Sequence, residues 1–178
     1  MWRSTGDISD CWESIKEIAL QQIRLVPYGS PGCFNDMDML VVGMKGKGNV
    51  GAGGCTDEEY RTHFSIWCLF NSPLMIGCDL TAMDQFTIDL LTNPEVLDVE
   101  CDPLGRSNGR VWKEGRLEVW SRPLADGTLA VGLFNRGFEP RAVAARWKDL
   151  GLTGRRRVRD LWQRKDLGMF DGSFTAEV

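Results

Sequence analysis

Three short groups of polar residues carry types and spacings suited to acid–base chemistry. The first is Trp2-Arg3-x3-Asp7-x2-Asp10-x-Trp12. Asp10 stands directly ahead of a helical apolar period and reads as that helix's N-cap. Asp7 has no such task. It sits four residues from Arg3, close enough to share a site, and reads either as a surface turn residue or as an acid facing a ligand. The second group is Phe34-Asn35-Asp36-Met37-Asp38-Met39-Leu40, which runs straight into an apolar stretch. Carboxylates so close to an apolar run are costly unless hydrogen-bonded or functional. Asx-turn chemistry at a strand end is the competing account. The third is Cys78-Asp79, where Asp79 reads first as the cap of the next turn. Carboxylates beside aromatic residues such as Trp2 and Phe34 suit acid–base work on a sugar, whose apolar faces stack on rings.

The elements needed to position these groups follow from periodicity. Asp10 to about Leu25 has apolar residues at helical spacing, and Pro27 to Gly32 ends it. Met39–Val42 and Leu74–Gly77 are short continuous apolar runs, as expected of buried parallel strands. A glycine-rich loop spans Gly43 to Gly54. Thr56-Asp57-Glu58-Glu59 is a capping box, predicting a helix to about Phe70 with Tyr60, His63, Phe64, Trp67 and Cys68 on its apolar face. A further helix is predicted over Met83 to Thr92. Strands separated by helices predict β/α units around a parallel sheet, with ligands at the carboxyl ends of the strands.

The pattern changes near Asp102-Pro103-Leu104-Gly105. Beyond it, strand-length runs at Arg110–Lys113, Leu117–Arg122, Leu129–Asn135, Ala142–Trp147, Arg155–Trp162 and Phe174–Val178 are separated by turn signals. This predicts an antiparallel β-sandwich. The expected division is residues 1–102 for the β/α portion and 103–178 for the β domain.

Composition excludes several classes of function. The chain has 178 residues, 43% hydrophobic and 26% charged, with a formal net charge of −4, as in ordinary globular domains. The Arg155-Arg156-Arg157 run is the only strong basic cluster and reads as a solvated strand end. Nothing suggests a nucleic-acid partner, which needs a concentrated basic face. No apolar run approaches the roughly 20 residues of a membrane helix, so no membrane partner is expected. Met1 to Asp7 lacks the apolar segment of a secretory signal. The six cysteines form no C-x-x-C pair and His63 is the single histidine, so neither a metal site nor a cofactor is expected. The cysteines read as reduced thiols, with Cys68 and Cys78 buried.

Taken together in order, several segments resemble glycoside hydrolase family 27, the α-galactosidases and α-N-acetylgalactosaminidases. They are the first two groups above, together with Pro31-Gly32-Cys33 ahead of Phe34. Pro73-Leu74-Met75-Ile76-Gly77-x-Asp79-Leu80, Leu91-Thr92-Asn93-x-Glu95-Val96 and Asp102-Pro103-Leu104-Gly105 continue the likeness. Glu118-Val119-Trp120-x-Arg122-Pro123-Leu124 and Val131-x-Leu133-Phe134-Asn135-Arg136 extend it. Phe34 stands where this family usually has tryptophan, and Met37 where it has proline.

The resemblance implies an α/β fold: the C-terminal part of a TIM barrel followed by an antiparallel β-sandwich. It implies a retaining mechanism with two carboxylates about 5 to 5.5 Å apart. Asp7 matches the acid/base position, and Arg3, Asp38 and Met39 match positions lining the galactose pocket. The family's nucleophile lies on an earlier barrel strand, upstream of Trp2. Its last strand would follow Val178. The resemblance therefore implies a fragment truncated at both ends, with Met1 an internal methionine, which acts on terminal α-linked galactose only when completed. Alternatives are an α-N-acetylgalactosaminidase of the same family, a non-catalytic carbohydrate-binding or partner module, or a half-barrel subunit completed by another chain.

Overall fold

The computed structural model describes residues 2–178. The reading of Met1 as an internal methionine lies outside the described residues. Among the described residues, the first part is built from two short parallel strands and four α-helices. Strand β1 (Trp2–Arg3) pairs in parallel with β2 (Asn35–Asp36), Trp2 opposite Asn35 and Arg3 opposite Asp36. Between them runs helix α1 (Trp12–Gln22). Helix α2 (Asp57–Phe70) starts at the expected capping box: Thr56 accepts from the Glu59 amide, and the Glu59 carboxylate takes the Thr56 amide. Its C-cap Asn71 is left-handed, with φ of 57°. Helices α3 (Gln85–Leu91) and α4 (Pro94–Glu100) are capped by Asp84 and Asn93.

The two predicted buried strands are the main corrections here. Leu40, Val41 and Val42 are fully buried as expected. Within the Met39–Val42 run, however, Leu40 alone joins a ladder, pairing in parallel with Ile76. Asp38 ends the regular strand after Asp36, because its φ of +79° turns the chain out of extended geometry. The Val41 amide then bonds the ring of His63 on α2 instead of a neighbouring strand. The Leu74–Gly77 run was expected to be buried. Met75 is 65% and Ile76 48% exposed, because Leu40 is the one described residue that pairs with it. Cys78 is likewise partly exposed, unlike the buried Cys68.

The second part is antiparallel. Strands β3 (Gly109–Glu114), β4 (Leu117–Pro123) and β5 (Leu129–Asn135) form one sheet. Strand β6 (Ala142–Arg146) pairs with β9 (Ser173–Glu177), and β7 (Arg155–Asp160) with β8 (Lys165–Asp171). The Arg155–Arg157 run is exposed at the start of β7, as read. The predicted strand to Trp162 stops at Asp160, and β8 is an additional strand beyond those predicted.

Strand β4 is the joint between the two parts. Alternate residues of a strand face opposite sides. Val119, with Leu117, packs into the sandwich core around Val143, Ala145 and Trp147. Trp120, with Ala130 and Phe134 of β5, packs into the other core, around Trp67, Phe64 and Leu69 of α2. Gly132 lets β5 lie close to α2, since a Cβ there would come within 2.8 Å of the Leu69 side chain. Arg122, fully buried, donates to the Cys68 carbonyl at 2.6 Å and the Glu100 carbonyl at 3.1 Å. It thus places a cation at the C-terminal ends of α2 and α4, where the helix dipole favours it. Glu118, also fully buried, accepts from Arg110, Arg136 and the Trp120 indole.

Candidate active site

The parallel pairing of β1 with β2 gathers the candidate residues at one end of the strand pair. Ser4 continues the ladder through its amide to the Asp36 carbonyl at 2.8 Å. The Trp2 indole donates to the Asn35 amide oxygen at 2.9 Å. Arg3 leaves the end of β1 and meets two carboxylates. Its Nη2 donates to Asp7 Oδ1 at 2.9 Å and also to Asp38 Oδ2. The guanidinium is therefore shared between residues 4 and 35 positions away.

The two carboxylates differ in environment. The Asp7 side chain is 95% exposed, and that of Asp38 is 16% exposed. Asp38 Oδ2 also accepts from the Ile8 amide at 2.8 Å, and its Oδ1 accepts from the Met39 amide at 2.8 Å. The Asp38 amide donates to Asp36 Oδ1, and its carbonyl accepts from the Trp67 indole at 2.8 Å. The left-handed backbone of Asp38 is thus held from four sides, as strained residues must be. Asp36 makes the anticipated Asx turn, while the Asp38 carboxylate faces Arg3. Oδ2 is taken by Arg3 and Ile8, while Oδ1, with the Met39 amide as its donor, keeps room for a further hydrogen bond. Asp7 stands in solvent, and its second oxygen has no hydrogen-bond partner among the described residues, so a ligand can reach it.

Met39 is half-buried beside the core, and its sulfur lies over Gly77, where a Cβ would come within 2.8 Å. Asp79 takes the capping role: its Oδ1 accepts from the Thr81 amide at 2.9 Å and from its hydroxyl at 2.7 Å. These bonds hold its carboxyl below the usual range.

Asp10 overturns its reading as a helix cap. The residue at the N-cap of α1 is Cys11, with no side-chain cap bond. Asp10 is instead fully buried, and its Oδ2 accepts from the Gly46 amide at 2.7 Å and its Oδ1 from the Tyr60 hydroxyl at 2.9 Å. Those partners lie 36 and 50 residues downstream, beyond any local signal. The same holds for Ser72, whose hydroxyl accepts the buried Met37 amide at 3.0 Å.

Strand-end carboxylates sharing an arginine lie on a β/α unit followed by an antiparallel β domain, the architecture that the resemblance implies. Comparison with known proteins agrees. Residues 1–102 match the model of the family described as alpha galactosidase A. Residues 114–178 match that of the alpha galactosidase C-terminal beta sandwich domain. The chain is 49% identical to alpha-galactosidase 2 of Arabidopsis thaliana over 164 residues, covering 91% of this chain and 39% of the relative. It is 44% identical to an alpha-galactosidase of Cyamopsis tetragonoloba, covering 99% of this chain and 42% of the relative. Among solved structures, alpha-galactosidase I from Mortierella vinacea superposes with a TM-score of 0.87 at 31% identity, covering 99% of this chain and 50% of that one. A family 27 β-L-arabinopyranosidase from Geobacillus stearothermophilus superposes with a TM-score of 0.86 at 34% identity, covering 100% of this chain and 42% of that one. The chain belongs to the α-galactosidase family, glycoside hydrolase family 27. Its fold is the C-terminal part of a TIM barrel followed by the antiparallel β-sandwich. It spans about two fifths of the length of the curated relatives named here.

Proposed function

We propose that this chain carries the acid/base half of a retaining, exo-acting α-galactosidase, with the nucleophile supplied by polypeptide outside these residues. The observation that carries this reading is the Arg3 guanidinium held between a locked Asp38 and an exposed Asp7. Residues 1–102 form the barrel portion in this reading, and 103–178 the β domain. The last α-helix, ending at Glu100, and the first antiparallel strand, starting at Gly109, support that division.

In the first step Asp7, as the carboxylic acid, gives its proton to the glycosidic oxygen. The bond from that oxygen to the anomeric carbon breaks as the external carboxylate attacks the carbon, and the leaving group departs as an alcohol. In the second step the Asp7 carboxylate takes a proton from water. The water oxygen bonds to the anomeric carbon, and the glycosyl ester is cleaved. Arg3 donates and Asp38 accepts hydrogen bonds at the sugar hydroxyls, and Met39 supplies apolar surface beside them. The test is Asp7→Asn in a full-length enzyme that carries this segment. Turnover of a galactoside should fall by roughly 10²- to 10⁴-fold, as for loss of general acid–base catalysis. Turnover within a few-fold of the parent would reduce Asp7 to a turn residue.

A further inference from the structure

We infer that Asp10 is a positioning residue for Asp7, a buried carboxylate that locks the acid-bearing segment to the glycine-rich loop. The inference rests on the reading of Asp7 as the acid/base.

The Asp7 side chain is exposed and has the Arg3 guanidinium as its hydrogen-bond partner. Its place in space therefore depends on the backbone that bears it. The next three amides are each fixed by a different element. Ile8 donates to Asp38, Ser9 to the Ser14 hydroxyl at 2.9 Å, and Asp10 to the Val50 carbonyl at 2.9 Å. Asp10 is the deepest of these anchors. Besides its carboxylate contacts with Gly46 and Tyr60, its carbonyl accepts from the Gly54 amide at 3.0 Å.

The loop itself is folded back on its own backbone. A Cβ on Gly51 would lie 2.6 Å from the Gly46 carbonyl oxygen, and one on Gly54 2.7 Å from the Gly46 nitrogen. Tyr60 ties its two ends together. Its hydroxyl accepts from the Lys45 amide at 2.7 Å and the Cys55 amide at 3.3 Å, and donates to Asp10. Among the described residues no cation is hydrogen-bonded to Asp10. The carboxylate is held by one backbone N–H and one phenol, an expensive arrangement for a residue with no task. Burial, with the Asp10 charge adding to it, pushes the Cys55 thiol up to about 12.

Asparagine at position 10 keeps the shape and removes one acceptor. Its amide N–H groups would then face a donor, either the Gly46 amide or a Tyr60 hydroxyl already accepting twice. The lock should loosen while the apolar core stays intact.

The experiment compares Asp10→Asn, Tyr60→Phe and Asp7→Asn in a full-length enzyme carrying this segment, reading kcat/KM on two substrates. Methyl α-galactoside needs a proton to leave; dinitrophenyl α-galactoside leaves without one. A misplaced acid should lower kcat/KM on the methyl galactoside by roughly 10- to 100-fold, as for an approximately 1 Å misplacement, and barely affect the activated substrate. Tyr60→Phe should show the same selectivity in weaker form, and decides the matter if Asp10→Asn fails to fold. Equal losses on both substrates, or none, with Asp7→Asn still selective, would overturn the inference alone. An unselective Asp7→Asn would overturn the acid/base reading beneath it. In the same full-length enzyme, Asp10→Asn should speed tryptic cleavage after Lys45 and Lys47, and unchanged cleavage would also count against the lock.

Discussion

His63 is the single histidine of the chain, and its burial makes a sharp statement about pH and stability. It lies on α2, fully buried, edge-on to Trp67 with ring centroids 4.0 Å apart. Its Nε2 accepts from the Val41 amide at 3.1 Å. That nitrogen must therefore be unprotonated, and a second proton would set two donors against each other. Burial pulls the ring from its ordinary 6.5 down to about 3. A folded value below the unfolded one means that the unfolded chain binds the proton first. The stability is fully present above pH 6.5 and is lost as pH falls toward 3. Each unit in that window costs about 1.4 kcal/mol, so moving from pH 7 to pH 5 should cost about 2 kcal/mol through this residue. The perturbation that isolates it is His63→Gln, which keeps an acceptor for Val41 and cannot titrate. Chemical unfolding of both proteins at pH 7 and pH 5, at one fixed concentration, gives a difference of differences in which the carboxylates cancel. The parent should lose about 2 kcal/mol more than the variant. Equal losses would show that His63 is not held neutral by burial, and the packing of α2 on Leu40–Val42 would need revision.

Three further expectations concern the chain as a whole. On the proposed assignment, which puts the nucleophile outside these residues, the isolated chain should show no galactosidase turnover, because no glycosyl-enzyme forms without one; incubation with p-nitrophenyl α-galactoside giving turnover of order 1 per second or more would contradict this. It should also self-associate, because Trp2, Met75, Ile76 and Leu80 are 53, 65, 48 and 65% exposed around strands with open edges. On size-exclusion chromatography a monodisperse 20.0 kDa monomer would refute that. Arg122→Met should destabilise the joint by about 2 to 5 kcal/mol, since it strands acceptors at the ends of α2 and α4. A thermal unfolding temperature within about 2 °C of the parent would show that this cation holds nothing together.

What was legible in the sequence followed the range of the interaction. The Thr56–Glu59 capping box involves neighbours only, so the sequence shows it directly. Strand β5 was read to the residue, since Leu129–Asn135 is bounded by turn signals on both sides. Strand β8 was missed because Lys165-Asp166 and Gly168 break its apolar pattern, although pairing with β7 secures it. Burial of Leu40–Val42 was legible from hydrophobicity alone. Its ladder was not, because the left-handed turn at Asp38 depends on Arg3, Ile8 and Trp67 from other elements. Asp10 follows the same rule: a local cap is plausible from the sequence, while its partners come from a loop and a helix far along the chain. At the candidate site, spacing places Arg3 with Asp7, and the apolar run from Met39 marks Asp36 and Asp38 as a pair, whereas only the resemblance separates Asp38 as the pocket residue.

The claim that Asp7 is the acid/base of a retaining site is tested most directly by chemical rescue. In a full-length enzyme carrying this segment, Asp7→Ala should still form the glycosyl-enzyme from dinitrophenyl α-galactoside, whose leaving group needs no proton, and then stall at hydrolysis. Added azide, which needs no general base, should attack the anomeric carbon and displace the enzyme carboxylate. The account predicts faster turnover with azide and a galactosyl azide of α configuration, retained from the substrate. No rescue, or a β-galactosyl azide formed by direct displacement, would contradict it and assign Asp7 another role.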